Sequence, residues 1–311
     1  MSDVSHDDEI EASRAPLLDH LVELRQRLIV CVIALFVAFI ICFIFSTQIF
    51  SLLLHPFTVA EGLVAARAEE VKHGGANDLT HQVLGMLTGV KNLFQVLAGM
   101  KDLPPAEGQV TKLVFTAPLE FFFTKVKLSA LGAVALSFPV LGWQIYAFVA
   151  PGLYKKERRA LLPFLIASPV LFAAGAAMVY FMILPFVLWF SLTQQIVGTT
   201  GISVELLPKV SEYFDQVTTL LLAFGLCFQL PVVLTLLGMA GLVNSKMLMA
   251  GWRYAVVAVV VVAAIITPPD PISQTLLSIP IIALYFFSVG CVKLIEMRRD
   301  KEDEARGIVT T

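Results

Sequence analysis

Charge is what this chain has least of. Asp, Glu, Lys and Arg make up 15% of its 311 residues, against about 25% in an ordinary soluble domain. Hydrophobic residues reach 58%, and the mean hydropathy is +0.83. Such a composition excludes a soluble globular fold and makes the membrane span of about 20 apolar residues the unit of reading. Lys plus Arg number 22 against 24 acids, a net charge of -2, so there is no basic footprint for nucleic acid. Cysteine is equally scarce. Cys31, Cys42, Cys227 and Cys291 sit inside apolar runs with no CxxC or Cys/His spacing, and read as small hydrophobes rather than metal ligands or disulfides. P-loop, HExxH and GxSxG motifs are missing, so nothing points to an enzyme, a metal or a cofactor. The middle of each apolar run also lacks Asp, Glu and His, which excludes a proton relay of such groups through the bundle.

What is present is a set of stretches without any Asp, Glu, Lys or Arg: Leu28 to Leu54, Leu128 to Tyr154, Ala160 to Val204, Gln216 to Ser245, Tyr254 to Pro269 and Pro271 to Val292. Each is long enough, or nearly so, to cross a core roughly 30 Å thick as a helix. The expectation is an all-α polytopic membrane protein with six spans, at about 28–50, 121–150, 161–190, 214–241, 254–267 and 272–294. The run TPPDP at 267–271 removes backbone donors and forces a tight turn between the last two spans, both expected to be short. Pro139, Pro163, Pro169, Pro185, Pro231 and Pro280 fall within spans and predict kinks.

Basic residues set the orientation. Lys155, Lys156, Arg158 and Arg159 lie between spans two and three, Lys246 and Arg253 between four and five, and Lys293, Arg298, Arg299, Lys301 and Arg306 after six. Both termini are therefore expected to be cytoplasmic, with 1–16 an acidic disordered tail, 17–295 the membrane domain and 296–311 a second tail. Residues 55–118 form a long loop on the other side. Within it, Leu79, Val83, Leu87, Val90, Leu93, Phe94 and Leu97 recur at helical spacing and predict an amphipathic helix packing on the spans or the bilayer surface.

Residues able to do chemistry cluster at the cytoplasmic span ends. Before the first span, Asp19, Glu23 and Arg27 share one helical stripe, and Glu23 and Arg27 are spaced for an i,i+4 ion pair worth about 0.2–0.5 kcal/mol. Between spans two and three, Glu157 is the one acid among Lys155, Lys156, Arg158 and Arg159. It can pair internally or receive a cation from outside.

Four motifs then carry a resemblance. HLVELRQR at 20–27, PVLGWQIYAFVAPGLYKKERR at 139–159, FGLCFQLP at 224–231 and TPPDPISQTLLSIP at 267–280 resemble the TatC family, the large membrane subunit of the twin-arginine translocase, over nearly the whole chain from about Asp19 to Lys293. The resemblance implies a cupped six-helix bundle in a bacterial inner membrane. It implies a receptor that binds the paired arginines of signal peptides on folded precursors, and a scaffold that assembles with TatA and TatB as homo- and hetero-oligomers for export driven by the protonmotive force. It places the signal-binding carboxylates on Glu23 and Glu157, with His20, Arg25, Phe148 and Arg158 around them. Carboxylates accept a planar guanidinium bidentately, which an ammonium cannot match. Pro56, Asp270 and Gln274 fall in family motifs on or near the far side, Gln274 at a partner-helix contact, although Asp270 equally suits a turn cap. Gln229 stands where many members carry a glutamate and offers a neutral amide instead. The alternative function is a small-solute permease, which would need a polar through-path; an inert anchor would tolerate neutral residues at 23 and 157.

Overall fold

The computed structural model describes the backbone of residues 4–73, 113–149, 155–193, 195, 208–266 and 271–305, and within these the side chains of 21–64, 113–148, 163, 165–193, 195, 208–266 and 274–298. The described residues are helical throughout their elements: α1 Val4–Ile44, α2 Ser46–His73, α3 Glu120–Val149, α4 Lys155–Met178, a π-turn Val179–Ile183, α5 Leu184–Thr193, α6 Val210–Cys227, α7 Leu230–Met239, α8 Ser245–Ala250, α9 Trp252–Ile266 and α10 Pro271–Ala305. Five stretches are long and apolar enough to cross a membrane, Leu21–Ile44, Glu120–Phe148, Leu165–Thr193, Val210–Met239 and Gln274–Arg298, and α9 is a shorter apolar helix. This is an all-α, multi-pass membrane protein whose described residues hold five long apolar spans and the shorter α9. At 15 residues, α9 rises about 22 Å, short of a full hydrocarbon core.

Several bounds differ from the sequence expectation. In place of a disordered tail over 1–16, the backbone is helical from Val4, where the acids Asp7, Asp8 and Glu9 suit the positive end of a helix dipole. One residue, Phe45, separates α1 from α2, and α2 carries helix into the expected loop 55–118 as far as His73. The predicted amphipathic helix over 79–103 lies outside the described residues. The helix of the last span is not short. It is 35 residues long and ends at Ala305, inside the expected tail 296–311, passing through Glu, Lys, Arg and Met, all strong helix formers. The four cysteines are free thiols.

Proline explains the breaks. Pro185 has no N–H to give the preceding turn, and there the helix widens, Leu184 N–H reaching Val179 O in a π-turn. Pro231 opens α7 at a position that needs no donor, so span four divides at Phe228 and Gln229. Pro56 sits inside α2, and the Leu52 carbonyl that its missing N–H would have served accepts instead from the Tyr180 hydroxyl at 2.8 Å. The neighbouring Leu53 carbonyl accepts from Tyr213 at 2.7 Å. Pro139, Pro163, Pro169 and Pro280 lie inside helices that continue past them.

The core lies where α2, α5 and α6 meet the π-turn, around Phe57, Val179, Ile183, Trp189, Phe214, Val217 and Phe224. α1 stands at the edge of the bundle, largely exposed and packed along α3. One pair of helices, α4 and α6, touches closely at two points because glycine permits it. A Cβ on Gly225 would come 2.5 Å from the Phe172 ring, and one on Gly175 2.7 Å from the Phe224 carbonyl. The α4–α6 seam therefore depends on having no side chain at 175 and 225.

Candidate functional site

α1 and α3 run antiparallel. Cys42 packs on Gly132, and Phe43 meets Phe122 edge to face with centroids 6.5 Å apart. From the Cys42–Gly132 contact, Glu23 lies 19 residues back along α1 and Phe148 16 residues forward along α3, displacements of about 28 Å and about 24 Å in the same direction. Glu23 and Phe148 thus share one end of the bundle, the near end. Glu157 and Arg158 fall in the first turn of α4, which starts at Lys155 a few residues beyond α3, so their backbone belongs to the same end.

Glu23 is already engaged. Its carboxylate accepts from Arg27 Nε at 3.1 Å and also from Arg27 Nη2, the i,i+4 pair the spacing predicts. Arg25 is exposed and Phe148 half-buried. The side chains of His20, Glu157 and Arg158 lie outside the described residues, as does Asp270. At Glu157 the helix dipole favours a carboxylate.

Beside this end a groove of about 390 Å³ opens between α3, α4 and the α6–α7 junction, walled by Phe138, Ile145, Leu165, Leu226 and Val233. Besides the Tyr146 phenol, its polar lining includes one closed pair. Ser168 Oγ donates to Gln229 Oε1 at 2.8 Å, and Gln229 Nε2 donates to the Ser168 carbonyl at 2.9 Å. A glutamate could accept the first bond but, when ionised, could not donate the second, so the neutral amide fits this partner. Phe138 and Phe172 stack with centroids 4.2 Å apart behind it. Tyr146 of the groove lies two residues before Phe148 on α3, so the apolar wall continues from the near end into the bundle.

Pro56 is buried at the tyrosine-filled break of α2, and Gln274 Nε2 donates to the Val260 carbonyl at 3.2 Å, tying α10 to α9. Sequence reasoning missed the ties at the far end. Glu120 accepts from Thr116 N–H at 2.7 Å and Ala117 N–H at 3.1 Å with one oxygen, and from Ser211 N–H at 3.2 Å and Ser211 Oγ at 2.6 Å with the other. One carboxylate thereby joins the starts of α3 and α6, beside the bridge in which Val210 N–H reaches Val114 O at 3.0 Å. Lys127 and Asp215 pair at 2.7 Å across the same two helices. The readable signal was position: each residue immediately precedes a charge-free stretch.

Comparison with known proteins decides the family. The model for the Sec-independent protein translocase protein (TatC) matches residues 19–280. The chain belongs to the TatC family. It is 37% identical to the Sec-independent protein translocase protein TatC of Magnetococcus marinus, over 94% of this chain and 89% of that one, and 32% identical to that of Desulforapulum autotrophicum, over 94% and 90%. The chloroplastic TATC of Pisum sativum is 37% identical over 68% of this chain and 58% of its own. A crystal structure of the twin arginine translocase receptor TatC superposes with a TM-score of 0.63 at 29% identity, covering 88% of this chain and 98% of that one. The protein is therefore a multi-pass member of a protein-translocation family.

Proposed function

We propose that this TatC-family protein is the receptor for twin-arginine signal peptides and the core scaffold of a Sec-independent translocase, a binding protein and not an enzyme. What supports this reading is the near end: the helices carry Glu23, Phe148 and the Glu157 backbone toward the same end of the bundle, and a largely apolar groove opens between α3, α4 and the α6–α7 junction beside it. The paired arginines would engage Glu23 and Glu157, with His20, Arg25 and Arg158 shaping the surrounding charge. Because Arg27 already occupies Glu23, an incoming guanidinium exchanges for one that is present. Its gain there is small, about 0.2–1 kcal/mol for an exposed pair. Selectivity then rests on bidentate geometry at both carboxylates and on apolar contact in the groove for the segment that follows the arginines.

On this reading the near end faces the cytoplasm of a bacterial cell, with both termini there, in keeping with the basic residues that flank it. TatA and TatB family subunits are the partners, and Gln274 and the α9–α10 pair are a place for a partner helix. The groove's closed amide–hydroxyl pair offers no ionisable group, so the protonmotive force acts through assembly or through the field on the complex, at about 2.3 kcal/mol per charge per 100 mV.

The test is photocrosslinking from probes next to Glu23, Phe148 and Glu157 to a signal peptide carrying Arg-Arg, in parallel with the same peptide carrying Lys-Lys. Crosslinks should fall sharply with Lys-Lys and in Glu23→Ala and Glu157→Ala variants that still insert. Equal labelling by both peptides would sink the receptor reading.

A further inference from the structure

We propose that the near end of α7 to α10 carries a site for anionic phospholipid headgroups, built on α8 and the last turns of the sixth span. The connection holding α8 is fixed in place by both ends. Asn244 caps α8, its side chain accepting from Met247 N–H at 2.7 Å. Glu296 of α10 accepts from Ser245 N–H at 2.8 Å and from the Ser245 hydroxyl, and Tyr285 of α10 donates to the Leu248 carbonyl at 2.7 Å. Trp252 and Phe286 stand with ring centroids 6.4 Å apart.

Four exposed cations lie on these elements: Lys246 on α8, Arg253 at the start of α9, and Lys293 and Arg298 before and after Glu296 on α10. The described acid among them, Glu296, has both oxygens on Ser245. Charge complementarity thus calls for an anion.

Its source follows from what stands between the cations. Leu242 is 68% exposed, Met247 57% and Leu294 57%, and the aromatic rings of Trp252 and Tyr254 are exposed beside them. A site for a soluble anion gains nothing from apolar side chains turned outward. At the boundary of headgroups and acyl chains both halves are satisfied. Lys and Arg heads meet phosphodiesters while their stems and the Met and Leu side chains meet chain carbons, and Trp and Tyr sit at that level with an apolar body and a polar edge. The Arg253 guanidinium, 5.9 Å from the centre of the Trp252 ring, is held at the same height. A span that merely needed a positive anchor would not require its connecting helix to be tied to the neighbouring span.

Trp252 is also the reporter. Trp189 is buried, so in a Trp143→Phe protein the accessible indole is that of Trp252. The full chain is reconstituted in phosphatidylcholine vesicles containing either brominated phosphatidylglycerol or brominated phosphatidylcholine at equal mole fraction. Quenching by the anionic lipid should exceed that by the zwitterionic one. The preference should fall about fivefold in relative affinity for each of Lys246→Gln, Lys293→Gln and Arg298→Gln, stay in the Lys246→Arg and Lys293→Arg variants, and be unaffected by Lys125→Gln at the far end. Equal quenching by the two lipids, a preference that survives the triple glutamine variant, or one lost equally in Lys125→Gln would overturn the site. Displacement by millimolar inorganic phosphate would overturn its assignment to lipid.

Discussion

Replacing Gly175 with alanine tests whether the α4–α6 seam sets the groove. The added Cβ would lie 2.7 Å from the Phe224 carbonyl oxygen and 2.9 Å from the Phe228 ring. A ring can swing aside, but a backbone oxygen moves only with its helix. Overpacking of this kind costs about 1–3 kcal/mol. Gly290→Ala supplies the control, since nothing lies within 4 Å of a Cβ there. Both glycines are in spans, so the propensity gain of about 1 kcal/mol from glycine to alanine is common to both variants and cancels in their difference. The prediction is a gap of about 1–3 kcal/mol between them, with Gly290→Ala the more stable, measured by thermal unfolding in detergent. The consequence should reach the groove, because Ser168 lies two turns before Gly175 and Gln229 one turn after Gly225. Pushing α4 from α6 stretches the Ser168–Gln229 pair, and spin labels at Ile166 and Val233, both exposed, should report a longer and broader distance in Gly175→Ala alone. Equal stability of the two variants, with unchanged label distances, would refute the view that close approach at 175 holds the groove's walls.

Other parts of the fold make separate predictions. Tyr213→Phe removes the donor to the buried Leu53 carbonyl and should destabilise by about 1–3 kcal/mol in the same unfolding assay; an unchanged midpoint would show that the carbonyl is served within α2. Glu120→Gln can still accept from Thr116 and Ala117 but loses the charge that strengthens those bonds and the ones from Ser211, so amide exchange at Ser211 should quicken while exchange in α10 stays as it was. Burial raises the carboxyl of Glu61 in α2 above its ordinary value, so its folded form binds the proton more readily than the unfolded one. Stability from this group is complete below the usual glutamate range and is lost as pH rises through the raised folded value. Glu61→Gln should therefore flatten the midpoint's pH dependence just above that range, and a parallel curve would contradict it.

What could be read from the sequence was local. The charge-free stretches beginning at Leu128 and Gln216 mark two spans, and the residues just before them, Lys127 and Asp215, turn out to pair across those spans. The Glu23–Arg27 bond follows from helical spacing alone. The break at Pro56 was also visible as a proline, but not its remedy: Tyr180 and Tyr213 stand 128 and 160 residues from the carbonyls they serve. The Glu120 clasp combines a legible part, Thr116 four residues before an acid, with an illegible one, Ser211 91 residues on. Helix ends were misjudged where charge, taken as the mark of a tail, in fact continued a helix, as after Lys293. For the site, the motifs proposed the residues and an apolar contact near Phe148, while the lining of the groove could not be named in advance because its walls come from spans two, three and four.

The distribution of ties has a consequence for how such a receptor works. Among the described residues, the far end of α2, α3 and α6 is joined by directional bonds: the Glu120 clasp, the Val114–Lys209 bridge, the Lys127–Asp215 pair and the two tyrosines. The groove has one reciprocal polar pair and the Tyr146 phenol, and the other lining residues pack with apolar side chains. Directional bonds fix a geometry, whereas apolar surface accepts any apolar surface of suitable volume. On the proposed function, a signal peptide has an invariant part, its two arginines, and a variable apolar part. The carboxylates proposed at the near end would suit the first and the groove the second, with the bonded far end as the base against which the groove's walls would adjust.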